Sequence, residues 1–143
     1  MSIVDEAIKE LESNVREAGV KVDNPTAISL MLRLKYGALE KEVFGGLMLD
    51  QKNRVLHEVV FAEGIENRCH VYLKEVVRAV LATSATGLIL FHNHPSGSLE
   101  FSGADKELTG KLKDIFTALE IRVLDHIVVT SLGSICMSEE GLI

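Results

Sequence analysis

Apolar residues at Ile3, Val4, Ala7, Ile8, Leu11 and Val15 recur at three- and four-residue intervals, with acidic residues between them. This spacing predicts a helix over residues 3–18 with one apolar stripe, stopped at Gly19. Asn24-Pro25-Thr26 marks a restart, because proline suits the first turn of a helix. Ala27 to Leu34 then reads as a second, well-buried helix that closes near Gly37. From Glu42 the period changes. Val43–Leu49 and Arg54–Phe61 are apolar, strand-like runs around a polar turn at Asp50–Asn53, an antiparallel hairpin. Cys69–Tyr72 has the character of a short strand. Lys74–Thr83 returns to helical spacing, with Val76, Val77, Ala79, Val80 and Leu81. Thr86–Phe91 reads as a buried strand and Gly103–Leu119 as an amphipathic helix. Ile121–Leu124, Ile127–Thr130 and Ser134–Met137 are further strand-like runs. Alternating helices and strands with an early antiparallel hairpin predict an α/β protein with a mixed sheet and helices packed on it, not a doubly wound parallel sheet.

The chain has 143 residues, enough for one domain with a real core, and no run nears the roughly 20 apolar residues that span a bilayer. The start, Met-Ser-Ile-Val-Asp-Glu, lacks the apolar stretch of a secretory signal. Cys69 and Cys136 form no metal-type pair, so a cytoplasmic protein with free thiols is expected. A formal net charge of −6 disfavours an extensive nucleic-acid surface, which needs many lysines and arginines.

The candidate chemistry lies just after the Thr86–Phe91 run. In a strand, residues two apart share a face, so His92 and His94 project together while Asn93 turns the other way. Ser102 and Asp105 follow in an S-x-x-D spacing, which is a helix-capping signal and also places a carboxylate at the helix start. Two neutral imidazoles and one carboxylate make a three-ligand zinc site with a fourth position open to water, as in hydrolytic zinc centres. Such a site needs a base for the second proton of the water. Glu42, Glu58, Glu75 and Glu100 are the candidates, and position alone does not choose among them. Glu42 differs in preceding a strand that contains Gly45 and Gly46, which permit close approach of a backbone or ligand.

Several segments together match a known family: His92-Asn-His-Pro-Ser-Gly97, Phe101-Ser-Gly-Ala-Asp105 with Thr109, Leu124-Asp-His-Ile-Val128 and Glu42-Val-Phe-Gly-Gly-Leu-Met-Leu-Asp50. On these residues the chain resembles the RadC-like proteins of the JAB/MPN superfamily, whose metal signature is the JAMM motif. The resemblance runs from Glu42 to Ile143. It implies a cytidine-deaminase-like curved sheet flanked by helices over residues 39–143, with residues 1–38 as a helical segment packed on that domain. It also implies a metallopeptidase-like hydrolase acting on a peptide or protein. By the same resemblance His92, His94 and Asp105 bind Zn2+, Glu42 activates the metal-bound water, and Ser102 stabilises an oxyanion. His126 and Asn93 become candidates for groups that support the ligands without binding the metal. His126 has an ordinary alternative, a strand-edge histidine held by Asp125, and His57 and His70 read as ordinary sheet residues.

The chain departs from the family pattern at Phe101, Gly64-Ile65 and Leu73-Lys74-Glu75. None is a ligand, but all can shape the groove. The first 40 residues lack the Gly-rich signature of the DNA-binding helix-hairpin-helix region found in full-length RadC proteins. Two further functions compete with hydrolysis. One is a metal-dependent DNA-processing factor, although HNH nucleases spread those three letters over a ββα unit. The other is a non-catalytic metal-binding module, disfavoured because all five site positions are intact.

Overall fold

The structure, a computed structural model, describes residues 2–9, 25–64 and 70–143. Residues 3–9 are helical, and the rest of the helix expected over 3–18 lies outside the described residues, as does Cys69. The following elements are α1 (Pro25–Tyr36), β1 (Val43–Leu49), β2 (Val55–Glu63), α2 (Leu73–Leu81), β3 (Gly87–Asn93), α3 (Gly103–Ala118), β4 (Arg122–Val129) and β5 (Ser134–Cys136). They form one five-stranded sheet in the order β2-β1-β3-β4-β5. Only β3 and β4 pair in parallel, and the other three pairings are antiparallel. The expected mixed α/β sheet flanked by helices is therefore the observed fold.

Helices cover both faces of the sheet. On one face α1 contributes Ile28, Met31, Leu32 and Tyr36 to a core with Leu47, Leu49, Ile89, Phe91, Ile127 and Val129. On the other, Val76 and Val80 of α2 and Leu112 and Phe116 of α3 pack on Phe44, Met48, Leu88, Leu90 and Val123. Every residue of β1 and of β3 is buried, so these strands appear as unbroken apolar runs without the alternation of a half-exposed sheet. Within β3, Leu88 and Leu90 face α2 and α3, and His92 continues that row.

Two expectations need correction. Residues 70–72 form no strand, and His70 packs its ring against Tyr72 at 4.5 Å on the approach to α2. The two runs expected over Ile121–Leu124 and Ile127–Thr130 form a single strand, β4 (Arg122–Val129), that continues through Asp125 and His126. A bulge hides this continuity: Leu88 pairs with Val123 but Ile89 pairs with Asp125, so Leu124 is an extra residue. Gly45 does permit the close approach of a backbone, since a Cβ there would lie 2.6 Å from the Val59 carbonyl oxygen of β2, and both glycines also make room for side chains. A Cβ at Gly45 would lie 2.5 Å from the Phe91 ring, and one at Gly46 would lie 2.8 Å from Phe61. Phe91 needs that room, because it stacks on Tyr36 at 4.8 Å beneath α1.

Candidate metal centre

His92 stands at the end of β3, 2% exposed, and His94 lies just past it. Their Nε2 atoms approach to 2.7 Å. Gly97 adopts a φ of 83° in a tight turn closed by its N–H on the His94 carbonyl at 3.0 Å. That turn returns the Ser98 carbonyl to within 2.9 Å of His94 Nδ1. A carbonyl only accepts, so Nδ1 carries the proton and the His94 Nε2 lone pair is left facing His92. A proton or a metal cation between the two rings satisfies this approach.

Asp105 reaches the same point from the start of α3. Ser102 caps that helix: its Oγ accepts from the Asp105 N–H at 3.0 Å, and its own N–H donates to Asp105 Oδ2 at 2.8 Å. This reciprocal box, of a kind that contributes about 0.5–2 kcal/mol, fixes the Asp105 rotamer. Oδ1 then lies 3.3 Å from His92 Nε2 and Oδ2 lies 3.3 Å from His94 Nε2. Burial alone would raise the Asp105 carboxyl, but the His92 and His94 rings and the Ser102 amide outweigh it and hold it far below the ordinary carboxylate range. In the same exchange Asp105, against the effect of burial, raises His94.

Glu42 enters from the sheet. It directly precedes β1, and Phe44 pairs with His92 across the β1–β3 ladder. Asn93, fully buried, grips both sides of it: Oδ1 accepts from the Val43 N–H at 2.6 Å, and Nδ2 donates to the Lys41 carbonyl at 2.9 Å. The Glu42 carbonyl also accepts from Gly64 N–H at 2.8 Å. Glu42, His92 and His94 offer ligand atoms all within 4.8 Å of one another, a group able to hold a metal ion. Burial pushes the Glu42 carboxyl up, against the lowering pull of His92 and His94.

The other candidate bases separate by location. Glu58 is taken by Lys35 at 2.6 Å and Tyr36 at 2.5 Å, and Glu75 pairs with Arg78 at 3.6 Å on the exposed side of α2. Glu100 does line the site's cleft, an open space of about 330 Å³ shared with Glu42, His94, Phe101, Ser102 and Asp105.

His126 is completely buried between the rings of Phe44 and Phe101, at 5.8 and 5.9 Å. Burial depresses its pKa well below the ordinary imidazole value. Asp125 does not hold its ring. The Asp125 carboxylate accepts from the His126 backbone N–H at 2.8 Å and from the Ser138 hydroxyl at 2.6 Å. The ring instead meets His92 Nδ1 at 2.7 Å and Thr109 Oγ1 at 2.5 Å. The sequence pattern assigns Thr109 no chemical role beyond its place in the family match. Its position one helical turn after Asp105, on the same face of α3, was the available signal.

A family model, the RadC-like JAB domain, matches residues 22–142. The chain belongs to the RadC-like JAB domain family. Among its relatives is a UPF0758 protein of Aromatoleum aromaticum, 39% identical over 99% of this chain and 63% of the relative. A UPF0758 protein of Vibrio cholerae is 40% identical over 90% of this chain and 80% of the relative. YkfG of Escherichia coli K12, also a UPF0758 protein, is 38% identical over 99% of this chain and 89% of the relative. The chain thus spans less than two thirds of the Aromatoleum relative and most of the other two. Among the described residues no helix is long and apolar enough to cross a membrane.

Proposed function

We propose that this RadC-like JAB domain is a zinc-dependent hydrolase of amide bonds in a peptide or protein substrate. The observation that carries this reading is the convergence of His92, His94 and Asp105 at 3.3 Å carboxylate-to-imidazole spacings. Ligand atoms about 2.0–2.1 Å from a tetrahedral zinc lie about 3.3 Å apart; both carboxylate-to-imidazole edges have that length, and the 2.7 Å edge between the two Nε2 atoms would have to open for the ion to enter. When bound, zinc supplies a Lewis acid that polarises a carbonyl and brings the pKa of a coordinated water to about 7.

The chain's own residues do the rest. Asp105 stays ionised and serves as the anionic ligand. Glu42, raised by burial, takes a proton from the attacking water and returns it to the leaving amine. Asn93 holds the backbone on both sides of Glu42, which keeps that base over the imidazole pair. The Ser102 Oγ accepts from Asp105 N–H, and its O–H has no partner among the described residues. That hydroxyl donates to the oxyanion that develops on the substrate carbonyl. The acidic, serine-lined cleft and the net charge of −6 favour a peptide over a polyanionic nucleic acid.

The test combines metal analysis with substrate screening. Purified protein is expected to bind one zinc, to lose it to a chelator, and to cleave members of a peptide and ubiquitin-like conjugate library by mass spectrometry. Glu42→Gln should keep the zinc and lose the cleavage. Loss of zinc in Glu42→Gln would contradict the division of roles, and a wild-type protein that binds no zinc would overturn the reading.

A further inference from the structure

We infer that Thr109 and His126 form a hydrogen-bond relay that sets which nitrogen of His92 faces the metal. The inference rests on the zinc reading above and concerns residues outside the ligand set.

The polarity of the relay follows from counting hydrogens. Thr109 Oγ1 lies 2.8 Å from the Asp105 carbonyl and 2.5 Å from His126 Nδ1. The carbonyl can only accept, so the single hydroxyl hydrogen goes to it. His126 Nδ1 must then carry a hydrogen and donate it to Thr109 Oγ1. In a fully buried, neutral ring, His126 Nε2 is left as a bare acceptor. The atom facing it, at 2.7 Å, is His92 Nδ1, which therefore carries the hydrogen. His92 Nε2 is left as a lone pair aimed at His94 Nε2 and Asp105. The relay starts at the backbone of one ligand, Asp105, and ends on the ring of another, His92. It joins the start of α3 to the end of β3 across β4.

The bulge at Leu124 makes this contact geometrically available. In a regular strand, Val123 and His126 would point to opposite faces, being an odd number of positions apart. The extra residue restores the phase. Val123 packs with Leu112 and Phe116 beneath α3, and His126 meets Thr109 on that same helix. Phe44 and Phe101 flank the His126 ring edge-on, at 5.8 and 5.9 Å.

Long-range proton–nitrogen NMR of the wild-type protein reads the tautomers directly. His126 is expected in the Nδ1–H form both with and without zinc, and His92 in the Nδ1–H form with zinc. Nε2–H on His126 would overturn the relay in either condition. Chelator competition supplies the second readout. Thr109→Val keeps the side-chain shape and removes the hydroxyl; it should weaken zinc binding by about 10–100-fold, the usual effect of losing a ligand's supporting hydrogen bond. Thr109→Ser should restore the affinity. A Thr109→Val protein with a wild-type circular dichroism spectrum and wild-type zinc affinity would refute the proposal. Failure of wild-type protein to bind zinc would instead strike the hydrolase reading, while the His126 tautomer in zinc-free protein still decides the relay.

Discussion

The helix start that carries Asp105 and the strand start that carries Glu42 present two carboxylates to one pair of imidazoles, and they hold them differently. Asp105 is held through its own carboxylate, which accepts from the Ser102 amide and lies 3.3 Å from the Nε2 atom of each histidine. Glu42 is held through its backbone, by Asn93 and Gly64, and among the described residues no hydrogen-bond donor reaches its carboxylate. The first arrangement stabilises a fixed anion, which suits a ligand. The second positions a group while leaving its oxygens free to gain and lose a proton, which suits a base.

Substitutions on the two sides should therefore fail in different ways. The largest effect is expected from Asp105→Asn, or from His94→Ala. Each should abolish measurable zinc binding, and hydrolysis with it, in equilibrium dialysis and activity assays. Asp105→Asn keeps an acceptor for the Ser102 amide, so its thermal transition should stay close to wild type. Glu42→Gln comes next. Hydrolysis should fall by about 10²–10⁴-fold, the usual contribution of a general base, with zinc content unchanged. If the two substitutions gave the same phenotype, the contrast between ligand and base would collapse.

Smaller effects should appear in stability. Asn93→Ala leaves the buried Val43 N–H without its acceptor and should cost about 1–3 kcal/mol in denaturant unfolding. Ser102→Ala removes the Oγ acceptor of the helix cap and should cost about 0.5–2 kcal/mol in the same unfolding measurement, apart from its effect on hydrolysis. The smallest effect is the acid titration of zinc-free protein, where the carboxyls should move in opposite directions. Asp105 is lowered from 3.8, so its stabilising contribution is full above pH 3.8 and fades as pH falls through the lower folded value. Glu42 is raised from 4.5, so its contribution is full below pH 4.5 and is lost as pH rises through the higher folded value. Carboxyl NMR resolves the two curves, and a shared midpoint would remove the distinction.

The two halves also differ in how far they were legible in the sequence. His92, His94, Ser102 and Asp105 sit within 14 residues and depend on local rules, strand alternation and helix capping, so their convergence could be anticipated. The Asp105 carboxylate that completes the cap also faces His94. Glu42 depends on a long-range strand pairing that no local pattern encodes, and only resemblance singled it out from Glu58, Glu75 and Glu100. Asn93 is expected to turn away from the face shared by His92 and His94, and its side chain points instead to Lys41 and Val43, a grip that needs the β1–β3 register. The polar pair Asp125-His126 looked like a break between two strands. In the fold both residues are buried with their polar atoms satisfied, a condition that hydropathy does not register.

The extra residue in β4 also governs how the chain tolerates changes of length. Shortening β4 by deleting Leu124 would produce a more regular ladder with Ile89. From that point to one end of the strand, however, every side chain would exchange faces, so either His126 or Val123 would lose its place under α3. Insertions and deletions are usually survivable in loops and rarely so in central strands. Here even an idealising deletion should be rejected, because the irregular spacing is what lets one strand serve the apolar core at Val123 and the candidate metal centre at His126.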